Sequence, residues 1–300
     1  MDDAALPVVR TVKIAIVAPA SRIDTDISDR VMALAGALYP DRAKLTFHAQ
    51  CFFSDGHFAG DDKARAKAFI EVANDARFDC VWVARGGYGS NRIAERAVAG
   101  LNAAARKKLY LGYSDAGFLL GALYKAGCNV AHGPVVADIN RGSIAAHDSE
   151  IGDNNSGGEA AISRALAWLV DRDKAALEPS VAEGKPSVAF NLTVLSHMIG
   201  TPLMPDLSGH VLMVEDVSEH MYCIDRAFFH VTSNPGICKV AGLRLGRMSE
   251  IPPNEREFGK SEEDVAKHWC AVSGIPYLGR ADIGHDVDNK IVPFGSPALA

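Results

Sequence analysis

The sequence predicts an α/β fold in two parts: an N-terminal domain on a parallel sheet, of the flavodoxin-like or Rossmann-like kind, and a mixed α+β, partly barrel-like C-terminal domain. Three observations carry this expectation. Short apolar, β-rich runs alternate with helical patterns through the first half. Glycine-containing turns stand where two of those strands give way to helices. Beyond a polar stretch near residue 150 the alternation loses its regularity. With 300 residues, 48% of them hydrophobic and 23% charged, the chain has material for one large domain or two modest ones.

The elements follow in order. VKIAIVAPA predicts a buried parallel strand over 13–19 that ends in a proline-containing loop. Apolar residues at helical spacing fill 27–40 and stop at Pro40. KLTFHAQCF (44–52) alternates as a strand does, and 61–76 reads as a helix opened by Asp61 and Asp62, where the helix dipole favours acids. DCVWVARGG (79–87) is a strand running into glycines, followed by one helix from SNRIAERAVAGLNAAARK that Ser90 or Asn91 would cap. Residues 108–127 repeat the arrangement of strand, tight turn and apolar helix. Between about 140 and 186, RGSIAAHDSEIGDNNSGGE reads as a mobile connection and AAISRALAWLVDR as a helix, with Trp168 packing in a core. Strand-like SVAFNLTVLS, HVLMVEDVS, KVAGLRLGRM and KIVPFG then interleave with helical patterns at 219–231 and 261–273. These readings divide the chain into residues 1–145, a linker region 146–185 with one helix, and 186–300.

Composition narrows the function classes. Lys and Arg number 31 against 37 Asp and Glu, a formal net charge of −6, and no basic run offers phosphates a face. A nucleic-acid partner is not expected. No apolar stretch approaches the roughly 18 residues of a membrane helix, and MDDAALPVVRTVK is acidic where a secretory leader is basic. A cytoplasmic protein without a membrane partner is the expectation. The six cysteines form no CxxC and have no zinc-like spacing to histidine, so buried thiols, no metal and no cofactor are expected.

Two strand ends invite chemistry, because loops at the carboxyl ends of parallel strands gather binding groups. In Arg85-Gly86-Gly87-Tyr88-Gly89-Ser90 the glycines let backbone amides approach an anion, but Arg92 stands where a dinucleotide fingerprint needs its third glycine. A plain tight turn explains the glycines equally well. In Leu111-Gly112-Tyr113-Ser114-Asp115-Ala116-Gly117, a strand runs through a small-residue turn into an apolar helix, the layout of a nucleophile elbow. Ser114 is there either a nucleophile or a helix cap. A serine nucleophile needs a base and a carboxylate to orient it. His132 and His285 are candidate bases. Glu215 and Asp216 are adjacent at a strand end, and because neighbouring strand residues face opposite ways only one can enter a given cleft.

VAPAS, ARGGYGSNR, GYSD, HGP, NLTVLSHMIGTP, VEDV with the later IDR, and the late GH together resemble the LD-carboxypeptidases, a family of serine peptidases, across residues 13 to 297. The resemblance implies a Ser-Glu-His hydrolase that removes the terminal D-alanine from the L,D bond of murein tetrapeptides during cell-wall recycling. It implies Ser114 as nucleophile, Glu215 as orienting acid and His285 as base. It also implies an oxyanion hole of the Gly87 and Asp115 amides, a murein peptide as partner, and a homodimer. Arg85 and Arg92 are then candidates for the substrate carboxylate, with Asn191 as a hydrogen-bond partner. Where the family carries GGNL this chain has Ala189-Phe190-Asn191-Leu192, and the bulk of Phe190 is expected to reshape the cleft wall. The rival readings are a microcin C immunity-like peptidase and a non-catalytic muropeptide-binding protein.

Overall fold

A computed structural model describes residues 10–142 and 156–295. The first half builds a six-stranded sheet from β1 (Val12–Val17), β2 (Ala43–Phe47), β3 (Cys80–Val83), β4 (Leu109–Gly112) and β5 (Asn129–His132), joined by the far C-terminal β10 (Val292–Pro293). The order is β10-β5-β4-β3-β1-β2, and every pair is parallel except β10 with β5. Read from the other edge, strands one to five follow the flavodoxin order 2-1-3-4-5.

Alternation along β1 shows why this sheet needs cover on both sides. Ala15 and Val17 face a core that includes Phe69 of α2 (Asp62–Asn74) and Leu119 of α5 (Gly117–Lys125). Ile14 and Ile16 face the other, with Val31 of α1 (Thr25–Leu38) and Leu166 and Trp168 of α6 (Ser156–Asp171). Trp168 is a core residue, as its helical setting suggests. The helix α6 thus belongs to the packing of the first sheet. The connection 143–155 and the expected boundary at 145/146 lie outside the described residues.

The second half forms a four-stranded parallel sheet, β6 (Ser187–Asn191), β7 (Val211–Val217), β8 (Gly242–Ser249) and β9 (Tyr277–Arg280), in that spatial order. The sheet is open, with β6 and β9 at its edges, so the expected partial barrel narrows to a second α/β layer. Its helices are α7 (Leu192–Met198), α8 (Met221–Thr232) and α9 (Glu262–Ser273), the last opened by a Ser261–Asp264 capping box. One core runs through both halves: Phe190, Leu195, Met198, Leu212 and Phe228 join the cluster of Phe69 and Leu119. A side chain at Gly121 in α5 would meet Met198 Sδ at 2.8 Å, so the glycine lets α5 and α7 approach closely.

Four local expectations change. SVAFNLTVLS is a strand only to Asn191, whose side chain accepts from the Val194 amide and starts α7. KLTFHAQCF is strand only to Phe47 and then turns as a 3₁₀ helix over Ala49–Phe52. The helix expected after residue 89 is interrupted: a 3₁₀ turn at Ser90–Arg92 precedes α3 (Ala94–Ala99), and α4 (Ala103–Arg106) follows Gly100. A side chain at Gly100 would strike Ile70, so close packing fixes the break. Finally, KIVPFG joins the first sheet as β10 and pairs with the second only through a bridge from Gly295 to Ser187 among the described residues.

Candidate active site

The carboxyl ends of β3, β4 and β5 open on one side of the first sheet, and the loops that follow them line a cavity of about 450 Å³. Arg85, Gly86 and Gly87 come from the first loop, Tyr113 and Ser114 from the second, and Val135, Asp138, Asn140 and Arg141 from the third. Val217 and His285 reach in from the second half.

Ser114 begins a 3₁₀ turn between β4 and α5, with a left-handed φ of 61°. A non-glycine residue in that region is strained, and the strain projects its hydroxyl from the turn. Gly86 crosses directly beside it: a Cβ there would lie 2.9 Å from both Ser114 Cβ and Oγ. The next residue, Asp115, fastens the two loops together. Its carboxylate accepts from the Ser90 amide at 2.8 Å and the Gly89 amide at 3.2 Å, and its carbonyl accepts from Ser90 Oγ. Burial pushes the Asp115 carboxyl up, against these donors. Ser90, expected to cap a helix, therefore ties the glycine loop to the elbow. Gly87 has a φ of 101°, and any side chain there would collide with Ser21 Oγ. Among the described residues its amide has no acceptor.

Glu215 and Asp216 divide as strand geometry requires. The fully buried Glu215 faces His285 and its Oε2 accepts from Nδ1. A register shift where β7 meets β8 sets Gly246 against it; a Cβ there would lie 2.9 Å from the Glu215 Cβ. Asp216 points the other way. It accepts from Asn191 Nδ2 at 2.6 Å, from the Thr193 amide and hydroxyl, and from the Val217 amide. Burial, reinforced by the Glu215 charge, pushes the Asp216 carboxyl up to about 6.

His285 uses Nδ1 on Glu215, which leaves Nε2 as the nitrogen able to take a proton. Burial opposes the imidazolium, but the Glu215 charge and hydrogen bond outweigh it and hold His285 above the usual histidine value. Its ring lies 4.8 Å from that of Tyr113. The histidine loop is clamped from three sides. Arg247 bridges Asp282 and Asp286, Arg164 of α6 donates to the Val287 carbonyl at 2.7 Å, and Arg141 donates to the His285 carbonyl at 2.7 Å. No hydrogen bond joins Ser114 to His285 among the described residues; they share the cavity.

The other sequence candidates separate cleanly. His132 is buried off the cavity and bonds Asn289 Oδ1 at 3.1 Å, and burial lowers its pKa. Arg85 lines the cavity and is exposed. Arg92 is committed to Asp62 and the Phe58 ring instead. Asn191, expected to meet substrate, is buried away from the cavity, with its carbonyl on the α7 amide and its amide on Asp216. Phe190 likewise faces the core, 5.1 Å from the Phe294 ring, and does not touch the cleft wall. Sequence reasoning missed Arg141, Asp138 and Tyr113. Arg141 Nε donates to Asp138 Oδ1 at 2.6 Å, as does the Tyr113 hydroxyl at 3.0 Å. In the sequence Asp138 and Arg141 follow HGP at the end of β5, and Tyr113 stands beside Ser114 at the end of β4.

Comparison with known proteins matches residues 14–133 to the LD-carboxypeptidase N-terminal domain and residues 186–299 to the LD-carboxypeptidase C-terminal domain. A probable murein peptide carboxypeptidase of Bacillus subtilis is 30% identical over 253 residues, 81% of this chain and 75% of its own. The murein tetrapeptide carboxypeptidase of Pseudomonas aeruginosa is 25% identical over 299 residues, 96% of this chain and 92% of its own. In fold, the chain is similar to muramoyltetrapeptide carboxypeptidase from Oxalobacter formigenes, with a TM-score of 0.75 at 23% identity over 94% and 92% of the two chains. It is also similar to a microcin C7 self immunity protein in complex with aspartyl sulfamoyl adenosine, with a TM-score of 0.72 at 20% identity over 97% and 93%.

Proposed function

The chain belongs to the LD-carboxypeptidase family, and on that premise we propose that it is a serine carboxypeptidase that releases the terminal D-alanine of murein tetrapeptides in cell-wall recycling. One observation carries the reading: a strained Ser114 on an elbow shares a cavity with a histidine whose Nδ1 is held by a buried glutamate. Microcin immunity-type structures share the fold at too low an identity to favour their substrate.

In this reading His285 Nε2 takes the Ser114 proton as the hydroxyl attacks the carbonyl that precedes D-alanine. Glu215 fixes the tautomer and stabilises the imidazolium. The amides of Gly87 and Asp115 hold the tetrahedral oxyanion, each such donor being worth about 3 kcal/mol. The intermediate collapses, His285 gives its proton to the departing amine, and D-alanine leaves an acyl-enzyme on Ser114. Water, deprotonated by His285, then attacks the ester, and the tripeptide leaves with a new carboxylate. Arg85 offers a positive charge to an acidic substrate whose protein carries a net charge of −6.

The same reading places the enzyme in the cytoplasm as a homodimer. Six cysteines without a disulfide support a reducing compartment. Light scattering tests the dimer. No helix among the described residues is long and apolar enough to cross a membrane.

The decisive assay incubates the protein and its Ser114→Ala variant with L-Ala-D-Glu-mesoDAP-D-Ala and follows free D-alanine. Release by the parent, reduced at least about 10³-fold in the variant, is the expected result. No release, or equal release by both, overturns the proposal; binding without release is the signature of a muropeptide sensor.

A further inference from the structure

A carboxypeptidase must tell a chain terminus from an internal peptide bond, and the cavity contains a residue placed to do so. When the scissile bond breaks, the departing amine takes its proton from His285 Nε2. The carboxyl carbon of that residue is only two bonds from this nitrogen, about 2.5 Å away. The terminal carboxylate therefore lies against the wall of the cavity next to His285.

Tyr113, Asn140 and Arg141 line the cavity together with His285. The Arg141 guanidinium sits beside the histidine because one of its nitrogens donates to the His285 carbonyl at 2.7 Å. Its Nε is held by Asp138, which is itself fixed by the Tyr113 hydroxyl and the Val135 amide, both at 3.0 Å. A planar cation clamped in this way is already oriented before substrate arrives, and a guanidinium fork suits a carboxylate. Asn140 also lines the cavity, and with its Oδ1 accepting from Arg30 its side-chain amide nitrogen is the group it can donate with. Arg85, by contrast, flanks the glycine loop, and its hydrogen bond among the described residues is to the Arg22 carbonyl, at 3.4 Å.

We propose that Arg141, assisted by the Asn140 amide, binds the free α-carboxylate of the departing residue and so restricts cleavage to the chain terminus. The inference rests on the carboxypeptidase reading and assigns a specificity residue within it. Arg85 is then left for acidic groups elsewhere on the peptide.

The test compares L-Ala-D-Glu-mesoDAP-D-Ala with its C-terminal carboxamide, which lacks the negative charge at the terminus. The quantity read is the ratio of kcat/KM for acid over amide, in which the fraction of folded enzyme cancels. The parent is expected to prefer the acid. Arg141→Gln should shrink that preference roughly tenfold to hundredfold, and Arg141→Lys should restore part of it. Should turnover be too low to measure, equilibrium binding of the two peptides to Ser114→Ala and Ser114→Ala/Arg141→Gln reads the same difference. An undiminished preference in Arg141→Gln overturns the inference. So does a preference lost in Arg85→Gln but kept in Arg141→Gln. A parent that cleaves neither peptide overturns the carboxypeptidase reading itself.

Discussion

Ser114 holds a left-handed φ of 61° that costs a serine on the order of 1–3 kcal/mol, and its neighbours make that conformation tolerable. Gly86 gives up its side chain so that the elbow fits, and Asp115 locks the glycine loop to it. On the far side of the cavity the controlling residue is Glu215. Its charge holds His285 above the ordinary value near 6.5. As the proposed base, His285 must be neutral, so kcat/KM should rise with pH through a midpoint above that value. Glu215→Gln removes the charge, so the midpoint should fall, with kcat down by roughly 10⁴ as the tautomer is lost. A pH–rate profile of both proteins checks this, and an unmoved midpoint would refute it. The linkage runs in the same direction. A raised histidine pKa gives stability that is full below the unfolded value and is lost as pH rises through the folded one.

Elements were legible where pattern and cap agreed. The continuous apolar run of β1 and the acidic start of α2 could be read directly, because neighbours in sequence decide them. The stretch around Asn191 could not. Val188 to Leu195 looks like one apolar strand, yet Asn191 turns it into a helix by capping the Val194 amide and donating to Asp216. This role contradicts a contact with substrate, and the two are separable. Asn191→Ala should lower stability by about 2–4 kcal/mol, from the lost cap and the lost donor to a carboxylate. Thermal unfolding measures that, while KM of the folded fraction should stay within about twofold. A raised KM at unchanged stability would return Asn191 to the binding site.

At the scale of the molecule, the chain closes on itself. The Phe294 amide donates to Val130 of the first sheet, and Gly295 exchanges two hydrogen bonds with Ser187 of the second. Ile291, Val292 and Phe294 are buried there. Each such side chain stabilises the fold by roughly 1.5–3 kcal/mol, and together they approach the 5–15 kcal/mol that holds a typical protein folded. Removal of residues 291–300 should therefore abolish cooperative unfolding, measured by calorimetry. A truncated chain with the parent's melting temperature would show that the two halves stand without this tie.

By itself the sequence determined the α/β class, the strand–turn–helix of the elbow, and, through motifs matched in order along the chain, the family. These features rest on local periodicity and on residue types at short spacing. The resemblance singled out Glu215 and His285, but only the tertiary structure set Glu215 against His285 Nδ1, kept His132 off the cavity and turned Asn191 toward Asp216. It alone brought Arg141 to the histidine carbonyl, 144 positions away in the chain. The physical reason is the same in each case. A side chain's partners are set by which strand ends meet across the cavity, and that is a property of sheet order and register, which sequence spacing does not encode.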